Sequence, residues 1–218
     1  MRHTPQSMLA FLEKITAHMP LPMSEQLIQE FGRDHFLILI SCLLSLRARD
    51  VVTIKVCRAL FKQVRTPQDL IGLDLQKLEK ILFPLGFYRK KALVLQQVSR
   101  DLIKKFKGRV PSSEEELLSL PGVGRKTAQL VRGHAFGIPA ICVDIHVHRL
   151  SNRLGWVCTK TPEQTERALE KLFPRDRWIM VNHVLVVYGQ NVCTSRSPLC
   201  SQCPLSVYCP RVGVTKKR

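Results

Sequence analysis

The sequence has little of several residue classes, and each shortage narrows the possible folds. Aromatic residues make up only 6% of the 218 residues, and 17 acidic residues stand against 34 Lys and Arg. No convincing run of alternating apolar and polar residues occurs, so β-strands are not expected and the chain is predicted to be all-α. The longest apolar stretch, 36–46, is too short to span a bilayer. No secretory signal peptide or transmembrane segment is recognised, and we expect a cytoplasmic protein without a membrane partner.

The excess of positive charge predicts a polyanionic partner. The formal net charge is +17 at neutral pH, while hydrophobic residues make up 45% of the chain. Such a chain can build a full core in one or two domains. The charge favours nucleic acid as the partner, with an anionic membrane surface as the second possibility. Nucleic acid is preferred because no basic amphipathic helix stands out.

Apolar residues recur at helical spacing along most of the chain. One or two helices are predicted in 5–31, with a break at Pro20-Leu21-Pro22. A short helix is predicted to begin at Thr66-Pro67, because threonine is a good cap and proline suits the first helical position. The segment 87–91 is predicted to precede a helix that ends near Lys107. The remaining predicted helices are 34–47, 51–64, 75–83, 144–154, 162–173 and 176–191.

A glycine-rich turn organises the stretch 116–150. The turn Leu120-Pro121-Gly122-Val123-Gly124 is predicted to join two short helices, because Gly122 and Gly124 tolerate positive φ and a close backbone approach. The N–H groups that open the second helix, together with the helix dipole, favour a bound anion such as phosphate. Arg125 and Lys126 follow directly.

Eight cysteines in a chain without an apparent export signal argue for metal ligation over disulfide bonds. Four of them form a C-x6-C-x2-C-x5-C pattern near the end of the chain: Cys193, Cys200, Cys203 and Cys209. Four thiolates can bind zinc or an iron–sulfur cluster, and spacing alone does not decide between these. The other four are predicted to be buried among apolar residues: Cys42, Cys57, Cys142 and Cys158.

The segment LPGVGRKTA, followed by AFGIP and VDIHVHR, resembles the helix-hairpin-helix and catalytic segment of the endonuclease III family of DNA glycosylases. The resemblance extends from about residue 25 to 210. It implies an all-α, two-lobed helix-hairpin-helix glycosylase fold with a C-terminal iron–sulfur cluster loop. Residues 25–135 would form a helical barrel domain that includes the hairpin at about 113–135. Residues 1–24 and 136–218 would form the iron–sulfur domain, in which the four patterned cysteines hold a 4Fe-4S cluster.

The resemblance also implies a bifunctional DNA glycosylase/AP lyase of base excision repair. Lys126 matches the family's nucleophile, which forms a Schiff base and cleaves the abasic site by β-elimination. Asp144 matches the carboxylate that stabilises positive charge at C1′, and it is also a plausible helix cap. Oxidised pyrimidines are the implied lesions. Two alternatives stay open, namely a uracil or mismatch-specific glycosylase of the same superfamily and a non-catalytic iron–sulfur DNA-binding protein.

The expected partner is double-stranded DNA with a damaged base or an abasic site, bound by a nucleoid-associated monomer. By resemblance, Phe87 would be the wedge that enters the gap left by the flipped nucleotide, although a core phenylalanine is the alternative. Arg47 stands where the family has a second, glutamine, gap filler. The other expected DNA contacts are Gly122, Gly124, Arg125, Arg89, Lys90, Lys91 and Arg196.

Overall fold

The computed structural model describes residues 4–218, and every regular element in that range is helical. This confirms the predicted all-α class. A short 3-10 helix, Arg175–Arg177, precedes the last α-helix. The α-helices are α1 Pro5–Thr16, α2 Met23–Phe31, α3 His35–Ser45, α4 Asp50–Phe61, α5 Pro67–Gly72, α6 Leu75–Leu82, α7 Tyr88–Phe106, α8 Glu114–Leu118, α9 Arg125–Phe136, α10 Ile145–Arg153, α11 Pro162–Leu172 and α12 Trp178–Asn191.

Local capping chemistry starts most of these helices. The Thr66 hydroxyl accepts the Asp69 backbone N–H, and the Asp69 carboxylate accepts the Thr66 N–H, which forms the capping box at the predicted start of α5. Asp34 caps α3 in the same way by accepting the Leu37 N–H. The predicted start of α7 is wrong, because the helix begins at Tyr88 and already contains the residues up to Lys91.

The chain divides into two compact units. The first, Met23–Ile138, is called here the hairpin unit. The second, called the cysteine unit, consists of the residues up to Pro22 and of Pro139–Arg218. The unit boundaries lie within about three residues of the predicted domain boundaries. Their assignment as a barrel domain and an iron–sulfur domain remains a prediction.

Each unit has an apolar core of its own. In the hairpin unit, the apolar side chains of α3 pack with those of α4, α6, α7 and α9, and Leu39, Leu60 and Leu78 are fully buried. In the cysteine unit, α1, α10 and α12 supply most of the core around Tyr188 and Leu185. Burial of this kind supplies most of the stability of short helices, which are marginal alone. Among the helices of residues 4–218, none has the length and apolarity needed to cross a membrane.

Candidate active site and cysteine loop

The helical hairpin consists of α8, the turn 119–124 and α9, as the sequence predicts. Gly122 has φ +78°, and a Cβ built there would lie 3.0 Å from Val94 Cγ1 and 3.6 Å from Leu43 Cδ2. A side chain is therefore excluded by conformation and by packing. Gly124 caps α9 with φ −97°, and a Cβ there would meet nothing within 4 Å. The open space at Gly124 leaves the start of α9 accessible to a ligand.

Lys126 is the second residue of α9 and is exposed, whereas Thr127 and Ala128, the next two residues, are buried. The backbone thus anchors the amine while its side chain faces solvent. Burial raises the pKa of the Cys42 thiol of α3 to about 12, and the positive charge of Lys126 opposes that rise. The neighbouring Arg125 lies 3.8 Å from a Glu114 carboxylate oxygen.

Asp144 caps α10 from an extended backbone conformation. Its Oδ1 accepts the backbone N–H groups of His146 at 2.8 Å and Val147 at 2.9 Å. Both bonds end on the same oxygen, so the second carboxylate oxygen takes no part in the cap. The predicted capping role of Asp144 is confirmed.

The two expected gap-filling residues share an unusual backbone conformation. Phe87 has φ +58° and Arg47 has φ +54°, both left-handed values that non-glycine residues rarely adopt. Phe87 is 66% exposed, so the alternative interpretation as a core phenylalanine is wrong. Arg47 is exposed as well. Both side chains are presented to solvent at the cost of backbone strain.

The expected phosphate contacts fall into two groups. Arg89, Lys90 and Arg196 are exposed, and Arg89 lies over the Tyr88 ring. Lys91 requires a correction, because its Nζ donates to the carbonyl oxygens of Leu44 and Leu46 at 2.7 Å and of Leu43 at 3.4 Å. A lysine has three N–H donors, and all three are directed into the fold. Lys91 is therefore not a phosphate contact.

The cysteine loop, 193–209, contains no helix and surrounds a cavity. The cavity has a volume of about 30 Å³, and all four predicted ligands line it together with Arg153 and Tyr188. The Tyr188 hydroxyl lies 3.0 Å from Cys203 Sγ, and Arg153 Nη1 donates to Cys193 Sγ at 3.4 Å. The structure thus brings the four patterned cysteines around one space.

Two arginines of α10 hold the start of this loop. The Arg153 guanidinium donates to the carbonyl oxygens of Thr194 and Ser195, both at 2.7 Å, and the residue is only 7% exposed. Arg149 Nη2 donates to the carbonyl oxygens of Gly189 at 3.0 Å and Cys193 at 2.9 Å. Each guanidinium group thus exchanges several hydrogen bonds to water for hydrogen bonds to backbone carbonyl groups of the protein.

Known proteins match both the hairpin and the loop. The profile of the HhH-GPD superfamily of base excision DNA repair proteins matches residues 40–175, and that of the iron-sulfur binding domain of endonuclease III matches 193–209. Endonuclease III of Thermotoga maritima is 46% identical, over 86% of this chain and 90% of that protein. The chain belongs to the endonuclease III family. As a member of this family, it is a DNA glycosylase/AP lyase of base excision repair.

Other relatives agree with the membership. Endonuclease III of Bacillus subtilis is 37% identical over 80% of each chain. A solved non-covalent endonuclease III–DNA complex is similar to this chain with a TM-score of 0.85, 36% identity and 94% of both chains covered. A solved trapped endonuclease III–DNA covalent intermediate has a TM-score of 0.78 and 38% identity, and covers 86% of this chain and 92% of that one.

The cofactor of this endonuclease III family member is a 4Fe-4S cluster. The donor set fits the group, because burial raises the pKa of the Cys209 thiol and the charges of the other three cysteines raise it further, against a backbone hydrogen bond from Arg211. Four half-buried cysteines whose negative charges oppose one another fit a group that supplies bound cations, as irons do. No three His, Cys, Asp or Glu side chains of residues 4–218 are placed to hold a single ion. In a cubane cluster each cysteine binds an iron of its own, so its ligands lie farther apart.

Sequence reasoning missed the residues that support the loop. Arg149 and Arg153 are four residues apart and share one face of α10, but the pattern alone does not distinguish a buried arginine from a surface one. Two histidines of α10 also have intramolecular partners. His146 Nδ1 lies 3.0 Å from Arg149 Nη2, and His148 Nδ1 lies 2.7 Å from Thr165 Oγ1. Three of the scattered cysteines are buried as predicted, but the prediction for Cys158 is wrong because it is exposed.

Proposed function

We propose that the protein removes oxidised pyrimidines from duplex DNA and then cleaves the abasic site, with Lys126 as the nucleophile and Asp144 as the charge-stabilising carboxylate. The observation that carries this proposal is the position of Lys126, an exposed residue in the first turn of α9, directly after the glycine cap. In that position a phosphate held by the N–H groups at the start of α9 would bring its strand to the amine.

The chemistry runs in three steps. The damaged nucleotide leaves the base stack. Lys126 Nζ then attacks C1′, the bond from C1′ to the base breaks, and the base departs with a proton, while ionised Asp144 stabilises the positive charge that develops on the sugar. Ring opening converts the adduct to a Schiff base, which acidifies the C2′ proton. Loss of that proton breaks the C3′–O bond, and the 3′ phosphate leaves.

The cysteine loop is proposed to have a structural role in this function. Cys193, Cys200, Cys203 and Cys209 would hold the cluster, whose iron–thiolate bonds fix a segment that has no helix of its own. The exposed Arg196 lies between the first two of these cysteines and is proposed to contact a phosphate. We further propose that the protein acts as a monomer on DNA that carries a damaged base or an abasic site.

The test is a panel of duplexes that contain thymine glycol, uracil, a mismatch or an abasic site, each with and without borohydride. We expect excision of thymine glycol and covalent capture on abasic DNA. Lys126→Ala should abolish capture, whereas Lys171→Ala, which removes an exposed lysine from α11, should leave it unchanged. Capture from cluster-loaded protein with activity on uracil or mismatches alone would support the second glycosylase class, and no capture at all would support a DNA-binding protein without catalysis.

Asp144→Asn separates the two roles of Asp144. An asparagine oxygen can still accept the N–H groups of His146 and Val147, so α10 should keep its cap. The lost negative charge should lower turnover by roughly a hundredfold or more, with DNA binding largely kept. Unchanged turnover would remove Asp144 from the chemistry.

A further inference from the structure

Lys91 makes hydrogen bonds to two segments of the hairpin unit, the start of α7 and the connection after α3. Its backbone N–H donates to the Phe87 carbonyl at 2.9 Å, which makes it the donor of an opening hydrogen bond of α7. Its side-chain Nζ donates to the Leu46 carbonyl at 2.7 Å, directly before Arg47, and to that of Leu44. One residue thus contacts the backbone beside both residues that have strained, left-handed conformations and exposed side chains.

Lys91 is the side-chain donor from another helix that bonds the connection after α3. Helix α3 has no basic residue in its last turn. The Ser45 hydroxyl and the Leu46 N–H donate to the carbonyl groups of Cys42 and Leu43, whereas the Leu44 carbonyl accepts a donor from outside the helix. Lys91 supplies that donor from α7, and its positive charge lies at the negative end of the α3 dipole. Within this connection, the Ala48 N–H donates to the Ser45 carbonyl at 3.1 Å, and the Arg49 carbonyl accepts the N–H groups of Val52 and Thr53 where α4 begins. Burial lowers the pKa of Lys91, which reflects the removal of its ammonium from water.

We propose that Lys91 is a positioning residue that holds Arg47 and Phe87 in one fixed arrangement for entry into a DNA duplex. This inference rests on the proposed function, because it takes both side chains as the groups that fill the gap beside a flipped nucleotide. Without the three bonds of Lys91, the segment that carries Arg47 loses its hydrogen bonds to the helix that begins beside Phe87 and keeps only the apolar packing of Leu46 and Ala48. Arg47 then enters the duplex at an entropic cost that the intact protein avoids.

The first test compares abasic-site cleavage in duplex and in single-stranded DNA. A single strand has no gap to fill and no orphaned base, so it reports the chemistry of the protein without the wedge. Lys91→Met should lower the duplex rate about tenfold relative to the single-strand rate. Lys91→Arg, which keeps the charge and the donors, should restore part of the loss. An equal loss on both substrates would overturn the proposal.

The second test is a double-mutant cycle with Arg47→Ala. If Lys91 acts through Arg47, Lys91→Met should change the duplex rate of Arg47→Ala less than twofold. Full additivity of the two losses would contradict a positioning role. Lys90→Met is the matched comparison, because Lys90 is exposed and adjacent. Lys90→Met should reduce the salt dependence of binding to undamaged duplex by a log–log slope of about 0.9, while Lys91→Met should leave that slope unchanged.

Two further measurements keep the inference separate from the proposed function and from misfolding. If Lys91→Met does not fold, Lys91→Gln, which keeps an amide donor, takes its place in both tests. Hydrogen exchange at the Ala48 amide requires no activity, and we expect it to accelerate at least tenfold in the folded Lys91 variant. Unchanged exchange would overturn the proposal. A wild-type protein without lyase activity on either substrate would instead overturn the proposed function.

Discussion

The helical hairpin and the cysteine loop are held in place by different means. The hairpin has a helix on each side of its turn, and Gly122 packs directly against Val94 and Leu43. The loop has no helix, and its first residues are fixed by Arg149 and Arg153 of α10. The hairpin is therefore stabilised by its backbone conformation and by apolar packing. The loop is stabilised by bonds to the irons of the cluster and by hydrogen bonds from the two arginine side chains. Single substitutions should therefore change the stability of one region without changing that of the other.

The largest difference in stability between the two regions is expected from Cys203→Ser. The change removes a thiolate ligand and also the sulfur that lies 3.0 Å from the Tyr188 hydroxyl. We expect loss of the cluster and rapid hydrogen exchange across the cysteine loop, while amides of α9 keep their protection. Iron content, visible absorption and exchange mapping measure the result. Equal loss of protection in the hairpin would show that the two regions are not separately stabilised.

A smaller effect is expected from Arg153→Ala. The truncation leaves the carbonyl groups of Thr194 and Ser195 without their donors in a site that excludes most water. The free energy of unfolding of the cysteine loop should fall by about 3 kcal/mol, because several hydrogen bonds from one buried charge are lost together. Release of iron at increasing urea concentration measures the change. Arg167→Ala, at an exposed position of α11, is the control and should stay within about 0.5 kcal/mol.

The smallest effects concern the two glycines of the hairpin turn. Gly122→Ala should lower the free energy of unfolding of the hairpin unit by about 2 kcal/mol, because the left-handed backbone and the 3.0 Å approach to Val94 both oppose a Cβ. Gly124→Ala should cost only about 0.5 kcal/mol, because its φ suits any residue and the space is open. Urea unfolding followed by circular dichroism compares the variants. Similar losses in both would contradict the assigned geometry of the turn.

Features whose partners are close in sequence could be predicted. The start of α5 follows from Thr66, Pro67 and Asp69, and the cap of α10 follows from Asp144, since each motif lies within a single helical turn. The hairpin follows from its two glycines for the same reason. The start of α7 at Tyr88 could not be predicted, because the residue before it, Phe87, is left-handed and makes no capping side-chain hydrogen bond.

Features that depend on distant partners could not be predicted. Lys91 is 47 residues from Leu44, whose carbonyl it bonds, and Arg153 is 41 residues from Thr194. In the sequence both residues resemble ordinary basic side chains of a protein with a net charge of +17. Only the packing of α7 beside α3, and of α10 beside the cysteine loop, turns them inward. Excess positive charge thus conceals the few cations that have structural roles.

The measurement that tests the central claim most directly is peptide mapping of the borohydride-trapped complex. Cluster-loaded protein is mixed with an abasic duplex, reduced, digested and analysed by mass spectrometry. The account predicts that the sugar remnant is attached to Nζ of Lys126, in the first turn of α9. Attachment to a different amine, or no adduct from folded protein that carries its cluster, would contradict it.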